Sequence, residues 1–318
     1  MRIGLDVMGG DFAPDVTIQG AIQALDEISP NDRIFLFGPR DLINKKIVEY
    51  KSDPALFSIV HSPDVIGMGE RPIKAYTRKP ESSIAKGFKY LQHREIDSFA
   101  SAGNSGASLV GAMYSVSNIK GVFRPSTLTI IPRESGGMNV ILDVGTNPDI
   151  KPDVMYQFAI LGSIYSKHVL KTKNPKVGLL NIGEEEEKGN LLCQSAFRLM
   201  KGSTDFNFYG NVEGRDLFKD KADVIVCDGF TGNIVLKQME AMYRLMVKRN
   251  LVDEYIDRFN YENYGGSPIL GVNATVLIGH GISSAKAIKN MILSSKAIYE
   301  AKLTQKIKRA MTKYIQSK

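Results

Sequence analysis

The residues best suited to chemistry stand in the segment Asp228-Gly229-Phe230-Thr231-Gly232-Asn233. This segment follows an apolar strand pattern over 224–227 and leads into an amphipathic helix pattern over 232–248. A helix start presents backbone N–H groups without partners, and its dipole adds about half a positive charge there. Glycine also lets the main chain approach an anion closely. The segment therefore predicts a phosphate-sized site.

The same order of strand, glycine-rich polar loop and helix recurs three times. The other loops are Met8-Gly9-Gly10-Asp11, the segment 101–107 and the segment 183–190. In a parallel sheet such loops gather at the carboxyl ends of the strands. Residues far apart in sequence are therefore expected to line one crevice.

Strand and helix patterns alternate along almost the whole chain, which predicts an α/β fold with a mostly parallel sheet sandwiched by helices. The strands are expected at 2–7, 33–37, 56–61, 98–101, 127–131, 139–144, 177–182, 205–209, 223–227 and 274–279. The helices are expected at 15–27, 40–50, 82–92, 105–117, 153–169, 189–201, 232–248 and 284–315. No linker divides the chain, so residues 1–318 are expected to form one domain. If this domain is divided at all, the expected division is into two lobes around a central cleft.

Composition favours a cytoplasmic enzyme. Of the 318 residues 43% are apolar, and no run is long enough to span a bilayer. The chain starts directly with a strand pattern, so neither a signal peptide nor a transit peptide is expected. Cys193 and Cys227 lack a CxxC spacing, which favours buried reduced thiols over a disulfide or a zinc site.

The net charge of +7 suits an acidic partner. Lysines and arginines are frequent near the end of the chain, at Lys302, Lys306, Lys308, Arg309, Lys313 and Lys318. Aromatic residues do not interleave with them, which argues against nucleic acid. A solvated helix face that keeps the protein soluble explains the same charges.

Several standard catalytic patterns are missing. The segment starting at Gly67-Met68-Gly69 lacks the third glycine of a dinucleotide loop, no phosphate-binding P-loop motif exists, and the residues around Ser105 do not form a nucleophile elbow. The four histidines are scattered without metal-ligand spacing, so neither a metal nor another cofactor is expected. Only His280, between two glycines at a strand end, stands where a site residue would.

Seven segments together resemble the phosphate acyltransferase (PlsX) family. They run in order from residue 6 to about residue 285 and are 6–14, 101–107, 143–147, 183–190, 210–216, 228–233 with Leu236-Lys237, and 279–281. The resemblance implies transfer of a long-chain fatty acyl group from acyl-[acyl carrier protein] to inorganic phosphate, giving acyl phosphate for the glycerol-phosphate acyltransferase of phospholipid synthesis. It also implies a homodimer and an architecture like that of phosphotransacetylases and of isocitrate or isopropylmalate dehydrogenases.

Lys188 and Asn233 are the predicted catalytic residues. Attack of a phosphate oxygen on a thioester needs an anion cradle and donors for the developing oxyanion, and an ammonium and an amide supply such donors. Two other interpretations stay open. Lys188 could balance the four glutamates that precede it, and Asn233 could be a helix N-cap.

Around these two residues the sequence predicts a set of phosphate ligands and organising carboxylates. The predicted substrate-binding residues are Gly9, Gly10, Ser101, Asn104, Ser105, Gly232 and His280. The predicted organising residues are Asp6, Asp11, Asp143, Asn147 and Asp228. For Ser101, Asn104 and Ser105 the alternative is a helix cap with a turn, and His280 could equally tie two loops together.

The chain departs from the family pattern at three places. Ser105 replaces a threonine and keeps the hydroxyl, whereas Thr77 stands at an arginine position, where Arg78 or Lys74 could substitute. Relatives often carry a longer lysine-rich insertion after Lys237 that resembles a membrane-docking tip. Its shortness here weakens the expectation of peripheral contact with the inner face of the membrane. A stripe of Met239, Met242 and Met246 could face lipid or a partner subunit, but such stripes more often belong to a core or a dimer interface.

Two other functional classes remain as alternatives. A nicotinamide-dependent decarboxylating dehydrogenase would share the architecture, but it would need an aspartate cluster for a divalent metal, which is not evident. A non-catalytic binder of acyl carrier protein would use the basic surface without transferring the acyl group.

Overall fold

The computed structural model describes residues 1–316, so Lys318 lies outside the described residues. The strands, numbered along the chain, are β1 Arg2–Asp6, β2 Arg33–Gly38, β3 Ser58–His61, β4 Ser98–Ser101, β5 Ser126–Pro132, β6 Met138–Leu142, β7 Lys176–Leu180, β8 Asn207–Val212, β9 Val224–Val226, β10 Ser267–Leu270 and β11 Thr275–Ile278. The helices are α1 Asp15–Ala24, α2 Arg40–Glu49, α3 Pro72–Arg78, α4 Ser83–Gln92, α5 Ser105–Gly111, α6 Pro152–His168, α7 Leu191–Met200, α8 Gly229–Lys248, α9 Glu254–Asp257, α10 Ala285–Glu300 and α11 Leu303–Gln316.

The chain divides into two compact units. The first unit comprises Met1–Ser117 and Tyr261–Glu300, and the second comprises Asn118–Asn260 and the segment from Ala301 onward. Each unit contains its own helices and its own run of sheet. The expectation of one domain with a central cleft stays a prediction.

The first unit has the strand order β3-β2-β1-β4-β11-β10. Its pairs are parallel except for β10 with β11. Four consecutive residues of β1, from Ile3 to Asp6, are buried, which is the pattern of a strand covered on both faces. Edge-to-face contacts join Phe37, Phe88 and Phe99 in the core of this unit.

The second unit has the strand order β5-β6-β9-β7-β8. Only β5 with β6 is antiparallel. The long helix α6 packs on β9 and β6, and α11 packs on α6, where the rings of Tyr314 and Tyr156 stack. A mostly parallel α/β sheet is thus confirmed in both units.

All ten predicted strands exist, but several predicted boundaries are wrong. The helix expected over 284–315 is two helices, because Lys302 between them has a φ of 53°, which a continuous helix does not allow. The helix expected over 105–117 ends its α-helical part at Gly111 and continues as a π-helical turn over Ala112–Val116. Strand β10 was not predicted, because the turn-forming residues Gly265-Gly266-Ser267-Pro268 lead into it.

Helix α8 packs on the core of its own unit through the half-buried residues Val235, Leu236 and Met239. Its only buried residues are Gly229 and Gly232. Met239 packs against the core of the second unit, whereas Met242 is exposed. The core interpretation of the methionine stripe is therefore wrong for Met242. Within residues 1–316, no helix combines the length and the apolar character needed to cross a membrane.

Candidate active site

The candidate site residues divide between the two units. The first unit holds Asp6, Gly9, Gly10, Asp11, Ser101, Asn104, Ser105 and His280. The second unit holds Asp143, Asn147, Lys188, Asp228, Gly232 and Asn233. That both sets serve one crevice stays a prediction.

Four loops of the second unit leave the same edge of its sheet. Strands β6, β9, β7 and β8 are parallel neighbours in that order. Their carboxyl ends therefore lie side by side, with about 4.8 Å between adjacent strands. Lys188 lies on the loop after β7 and Asn233 lies in the second turn of α8, which follows β9, so the two predicted catalytic residues come after the carboxyl ends of adjacent strands.

Lys188 is exposed on the loop between β7 and α7. Within residues 1–316 its ammonium forms no hydrogen bond and no ion pair. Two of the preceding glutamates have other partners, since Glu184 pairs with Lys221 at 2.5 Å and Glu186 pairs with Lys201 at 2.6 Å. The interpretation of Lys188 as the partner of these glutamates therefore has no support from the observed ion pairs.

Asn233 is exposed and lies within α8, not at its N-cap. The cap is Asp228, whose carboxylate accepts hydrogen bonds from the backbone N–H and the hydroxyl of Thr231, both at 2.8 Å. The helix begins three residues before the predicted start because Asp228 is a stronger capping residue than the glycine and threonine that follow it. The capping interpretation of Asn233 is thus wrong, and its amide is left for another role.

The same cap corrects the prediction of several free N–H groups at this helix start. The N–H of Gly229 donates to the carbonyl of Asn147 at 2.8 Å, and that of Gly232 donates to the carbonyl of Asp228 at 3.0 Å. Thr231 donates to the Asp228 side chain. Of the first four N–H groups only that of Phe230 has no partner in the described part of the chain.

Asp143 organises the loop after β6. One of its carboxylate oxygens accepts hydrogen bonds from the backbone N–H and the hydroxyl of Thr127, both at 3.0 Å. The other accepts from the backbone N–H of Asn147 at 2.6 Å and from its side-chain amide at 2.9 Å. Helix α8 packs closely on this loop, because a Cβ at Gly232 would collide with the carbonyl oxygen of Asp143.

The side chain of Asn233 extends over the same loop. A Cβ on Gly145 would lie 3.4 Å from its amide oxygen. Asp143, Asn147, Gly232 and Asn233 are thus brought together around the ends of β6 and β9.

In the first unit, three glycine-bearing loops converge at the carboxyl ends of β1, β4 and β11. A Cβ on Gly9 would lie 2.5 Å from the backbone N of Gly103. Gly10 has a φ of 108°, and its hydrogen atoms face the carbonyl oxygen of Gly281. Asp11 is exposed and joins the same loops, since its backbone N–H donates to the Gly281 carbonyl at 2.7 Å.

Asp6 and Ser101 are buried together beneath these loops. The Ser101 hydroxyl donates to Asp6 at 2.7 Å and accepts from the backbone N–H of Gly103 at 3.0 Å. Burial raises the pKa of Asp6, while hydrogen bonds from Ser83, Ser101 and the N–H of Met8 act in the opposite direction. The Ser101 hydroxyl is therefore engaged inside the protein.

Asn104 is the N-cap of α5. Its amide oxygen accepts from the backbone N–H of Ala107 at 2.9 Å. Its amide nitrogen lies 3.0–3.2 Å from the carbonyls of Gly67, Met68 and Glu70. The capping alternative is therefore confirmed for Asn104.

Ser105 is exposed at the first position of α5 and forms no hydrogen bond through its hydroxyl within residues 1–316. Thr77, at the family's arginine position, donates to the carbonyl of Ile73 at 2.9 Å. Arg78 and Lys74 are exposed on the same helix, and which of them substitutes for the arginine stays a prediction.

His280 is half-buried and lies edge-to-face against Tyr261, with 4.6 Å between ring centroids. The Tyr261 hydroxyl in turn donates to the carbonyl of Ile282 at 3.1 Å. This contact ties the segment after β11 to the segment around Tyr261, as the second interpretation of His280 predicts.

One acidic cluster has the spacing of a metal site. One oxygen from each of Glu184, Glu213 and Asp216 lies within 4.8 Å of the others. Lys221 pairs with Glu184 and also with Asp216, at 3.0 Å, so an ammonium already contacts two of these three carboxylates. Cys193 and Cys227 are both free and buried, as predicted.

Sequence patterns did not single out three side-chain amides that bind the loop of Lys188. They belong to Asn181, Gln194 and Asn211. Asn211 could have been found from the sequence, since it lies in the segment 210–216, which is one of the seven that resemble the family. For Asn181 and Gln194 only the three-dimensional contacts reveal the role.

Comparisons with known proteins agree over the whole chain. A family model described as fatty acid synthesis protein matches residues 1–306. A phosphate acyltransferase of Dictyoglomus thermophilum is 41% identical over 332 aligned positions, and the match covers 98% of each chain. A phosphate acyltransferase of Halothermothrix orenii is 40% identical and covers 98% of this chain and 99% of its own.

Solved structures agree on the fold. A phosphotransacetylase from Streptococcus pyogenes superposes with a TM-score of 0.66 at 16% identity, over 94% of each chain. A branched-chain phosphotransacylase from Enterococcus faecalis superposes with a TM-score of 0.64 at 13% identity, over 93% of this chain and 98% of its own.

Proposed function

The chain is an acyltransferase of the phosphate acyltransferase family of fatty acid synthesis proteins, and we propose a specific reaction for it. In this reaction a long-chain fatty acyl group moves from acyl-[acyl carrier protein] to inorganic phosphate. The product is an acyl phosphate, which a downstream glycerol-phosphate acyltransferase would consume. A phosphate oxygen forms the new bond to the thioester carbonyl carbon. The carbon–sulfur bond then breaks, and the carrier thiol leaves as thiolate and takes up a proton.

The observation that carries this mechanism is the placement of Lys188 and Asn233. Lys188 lies on the loop after β7 and Asn233 in the second turn of α8 after β9, and these two adjacent parallel strands end at the same edge of the sheet. The ammonium of Lys188 is exposed, and its neighbours Glu184 and Glu186 are paired elsewhere. Asn233 is exposed and released from capping by Asp228.

In this mechanism Lys188 holds the phosphate and neutralises part of its charge near the thioester. Asn233 donates an amide hydrogen bond to the oxyanion that develops on the carbonyl oxygen. Preorganised donors of this kind stabilise a transition state without reorganising during the reaction. Asp143 and Asn147 hold the loop beneath Asn233, so their role is to fix the position of that donor.

The first unit supplies the other proposed phosphate ligands. Ser105 presents an unoccupied hydroxyl, whereas Ser101 and Asn104 act through the loops that they stabilise. Gly9 and Gly10 permit the close packing of those loops. No step of the proposed chemistry requires a cofactor, since the thioester already carries an activated acyl group.

The protein is further proposed to act as a homodimer in the cytoplasm, with peripheral contact at the inner face of the cell membrane. Helix α8 exposes Phe230, Ile234 and Leu245 at helical spacing. Exposed apolar stripes of this kind mark interaction surfaces. The net charge of +7 suits an acidic carrier protein.

The experiment is to incubate the purified protein with long-chain acyl-[acyl carrier protein] and phosphate whose oxygens are ¹⁸O, and to trap acyl phosphate with hydroxylamine. Because hydroxylamine also cleaves the thioester slowly, the proposal expects hydroxamate above this enzyme-free background only when phosphate is present, and an untrapped acyl phosphate that keeps every labelled oxygen. Carrier binding without loss of the thioester would favour a non-catalytic binder. Reduction of added NAD(P)⁺ in the presence of metal would favour a dehydrogenase.

A further inference from the structure

Three side-chain amides bind the backbone of the loop that carries Lys188. The amide of Asn181 donates to the carbonyl of Lys188 itself at 3.1 Å. The amide of Gln194 lies 2.9 Å from the carbonyl of Glu187 and 3.0 Å from that of Gly189. The amide of Asn211 donates to the carbonyl of Glu185 at 2.7 Å. We refer to Asn181, Gln194 and Asn211 as the amide clamp.

The clamp residues come from three different elements of the second unit. Asn181 follows β7, Gln194 lies on α7, and Asn211 lies on β8. Asn211 is only 3% exposed, so its donor is fixed by the core. The carbonyls that accept these hydrogen bonds belong to Glu185, Glu187, Lys188 and Gly189, so the backbone is held on both sides of the lysine.

Without these hydrogen bonds the composition of the loop over residues 183–189 would favour mobility. It contains two glycines, Gly183 and Gly189, and four consecutive glutamates that repel one another. Its outer ion pairs, Glu184 with Lys221 and Glu186 with Lys201, lie at exposed glutamates and contribute little to order. Gly189 has a φ of 89°, and a Cβ there would collide with the Asn181 amide, so the loop conformation and the clamp require each other.

We propose that the amide clamp is a positioning device for the reaction, which holds the Lys188 ammonium in place for phosphate before substrate binds. This inference rests on the catalytic role proposed for Lys188. Fixing a catalytic group in advance removes the entropy cost of ordering it in the transition state. Asn181, Gln194 and Asn211 are thus positioning residues, since they act through the backbone of the loop that carries Lys188.

The test is a double-mutant cycle with Gln194→Met and Lys188→Ala. Methionine is close in size to glutamine but has no N–H donor, and Gln194 is only half-buried, so the fold should persist. We expect Gln194→Met to lower kcat/KM for phosphate roughly tenfold, because Lys188 both holds phosphate and acts in the reaction, and losing one of several clamp residues should misplace it by less than the 1 Å that costs on the order of 10²-fold. In the Lys188→Ala background the same substitution should cost nothing further.

The matched control is Gln23→Met, the same chemical change at an exposed position of α1 in the first unit. It should leave kcat/KM for phosphate unchanged. Equal losses from Gln194→Met in both backgrounds would overturn the positioning role while leaving the proposed function intact. A Lys188→Ala protein with the wild-type rate would instead overturn the role of Lys188 and the clamp's purpose with it.

Hydrogen–deuterium exchange of residues 183–189 decides the question if the Lys188→Ala background is too slow to measure. We expect faster exchange in this segment for Gln194→Met and for a second variant, Asn211→Ala, with α8 unaffected. Exchange equal to that of the wild type in both variants would show that the amides do not order the loop.

Discussion

At the residue scale, the proposed mechanism depends on which polar side chains already form hydrogen bonds or ion pairs inside the protein and which remain available to substrate. Asp228 takes the capping role and leaves the amide of Asn233 available. Lys201 and Lys221 pair with the glutamates beside Lys188 and leave its ammonium available. Residue types alone could not predict this division of roles, because Asp228 and Asn233 are both competent caps and only the observed helix start distinguishes them.

Replacing Asn233 tests its role as an oxyanion donor. Asn233→Ala should lower kcat by about 10²-fold, the usual loss when one such donor is removed. Asn233→Asp should be slower still, because a carboxylate there repels phosphate and has no N–H donor. Steady-state rates of acyl-phosphate formation measure both effects. Asn207→Asp, the same change at an exposed position of β8, is the control, and an Asn233→Asp protein as fast as this control would exclude the role.

The two cysteines should be inert in the native protein. Burial raises the pKa of Cys227 well above its usual range, and the charges of Asp228 and Asp143 raise it further. Burial and Asp228 also raise the pKa of Cys193. Because the thiolate is the reactive form, neither thiol should react with a thiol reagent at neutral pH until the protein is unfolded. Colorimetric thiol counts with and without denaturant measure this, and rapid labelling of the folded protein would contradict the observed burial.

At the element scale, the site is built by loops whose glycines permit close packing. Helix α8 can lie on the loop after β6 only because positions 229 and 232 have no side chain. The placement of Asp143, Asn147 and Asn233 depends on this contact. The function of these glycines is therefore structural, in addition to any contact of this region with phosphate.

Gly232→Ala should destabilise the protein and slow the reaction together. Its Cβ would collide with the Asp143 carbonyl, and overpacking of this kind costs about 1–3 kcal/mol of unfolding free energy. Chemical denaturation of this variant and of Gly214→Ala makes the comparison. A Cβ at Gly214 would have no atom within 4 Å, so the control should match the wild type in stability. An equally stable Gly232→Ala protein would show that the helix can move away from the loop without cost.

Much of the element order could be predicted from sequence, and the failures have physical causes. Apolar runs, four of them ending in glycine-rich loops, located the ten predicted strands, because burial on both faces demands such runs. The break between α10 and α11 was missed because Ala301 and Lys302 are ordinary helix formers, so nothing local requires the left-handed backbone at Lys302. The amide clamp was missed because its contacts join β7, α7 and β8, which no local pattern records.

At the scale of the whole molecule, the exposed apolar stripe of α8, formed by Phe230, Ile234 and Leu245, is a surface that a partner subunit would bury. Leu245 is 48% exposed and Ile234 is 52% exposed on a helix that buries only two glycines in its own unit. A homodimer would cover such a surface, since most soluble oligomers are symmetric pairs of one chain. The family resemblance implied this homodimer, and the surface gives it a physical reason.

Light scattering of the purified protein measures the assembly. The wild type should have twice the chain mass of 35.1 kDa. Leu245→Glu should shift the protein toward the mass of one chain, because it places a charge in an apolar interface. Lys248→Glu, on the same helix, is the control and should remain a dimer. A wild-type protein with the mass of one chain would contradict the proposal, as would a Leu245→Glu protein that stays dimeric.

The catalytic role of Lys188 is tested by the single-turnover rate of acyl-phosphate formation by Lys188→Ala, with acyl-[acyl carrier protein] and saturating phosphate. Lys173→Ala, which removes an exposed lysine between α6 and β7 of the same unit, is the matched control. We expect the rate of acyl-phosphate formation to fall about 10²-fold or more for Lys188→Ala and to stay at the wild-type value for the control, with both proteins folded. A Lys188→Ala protein that forms acyl phosphate as fast as the wild type would contradict this role.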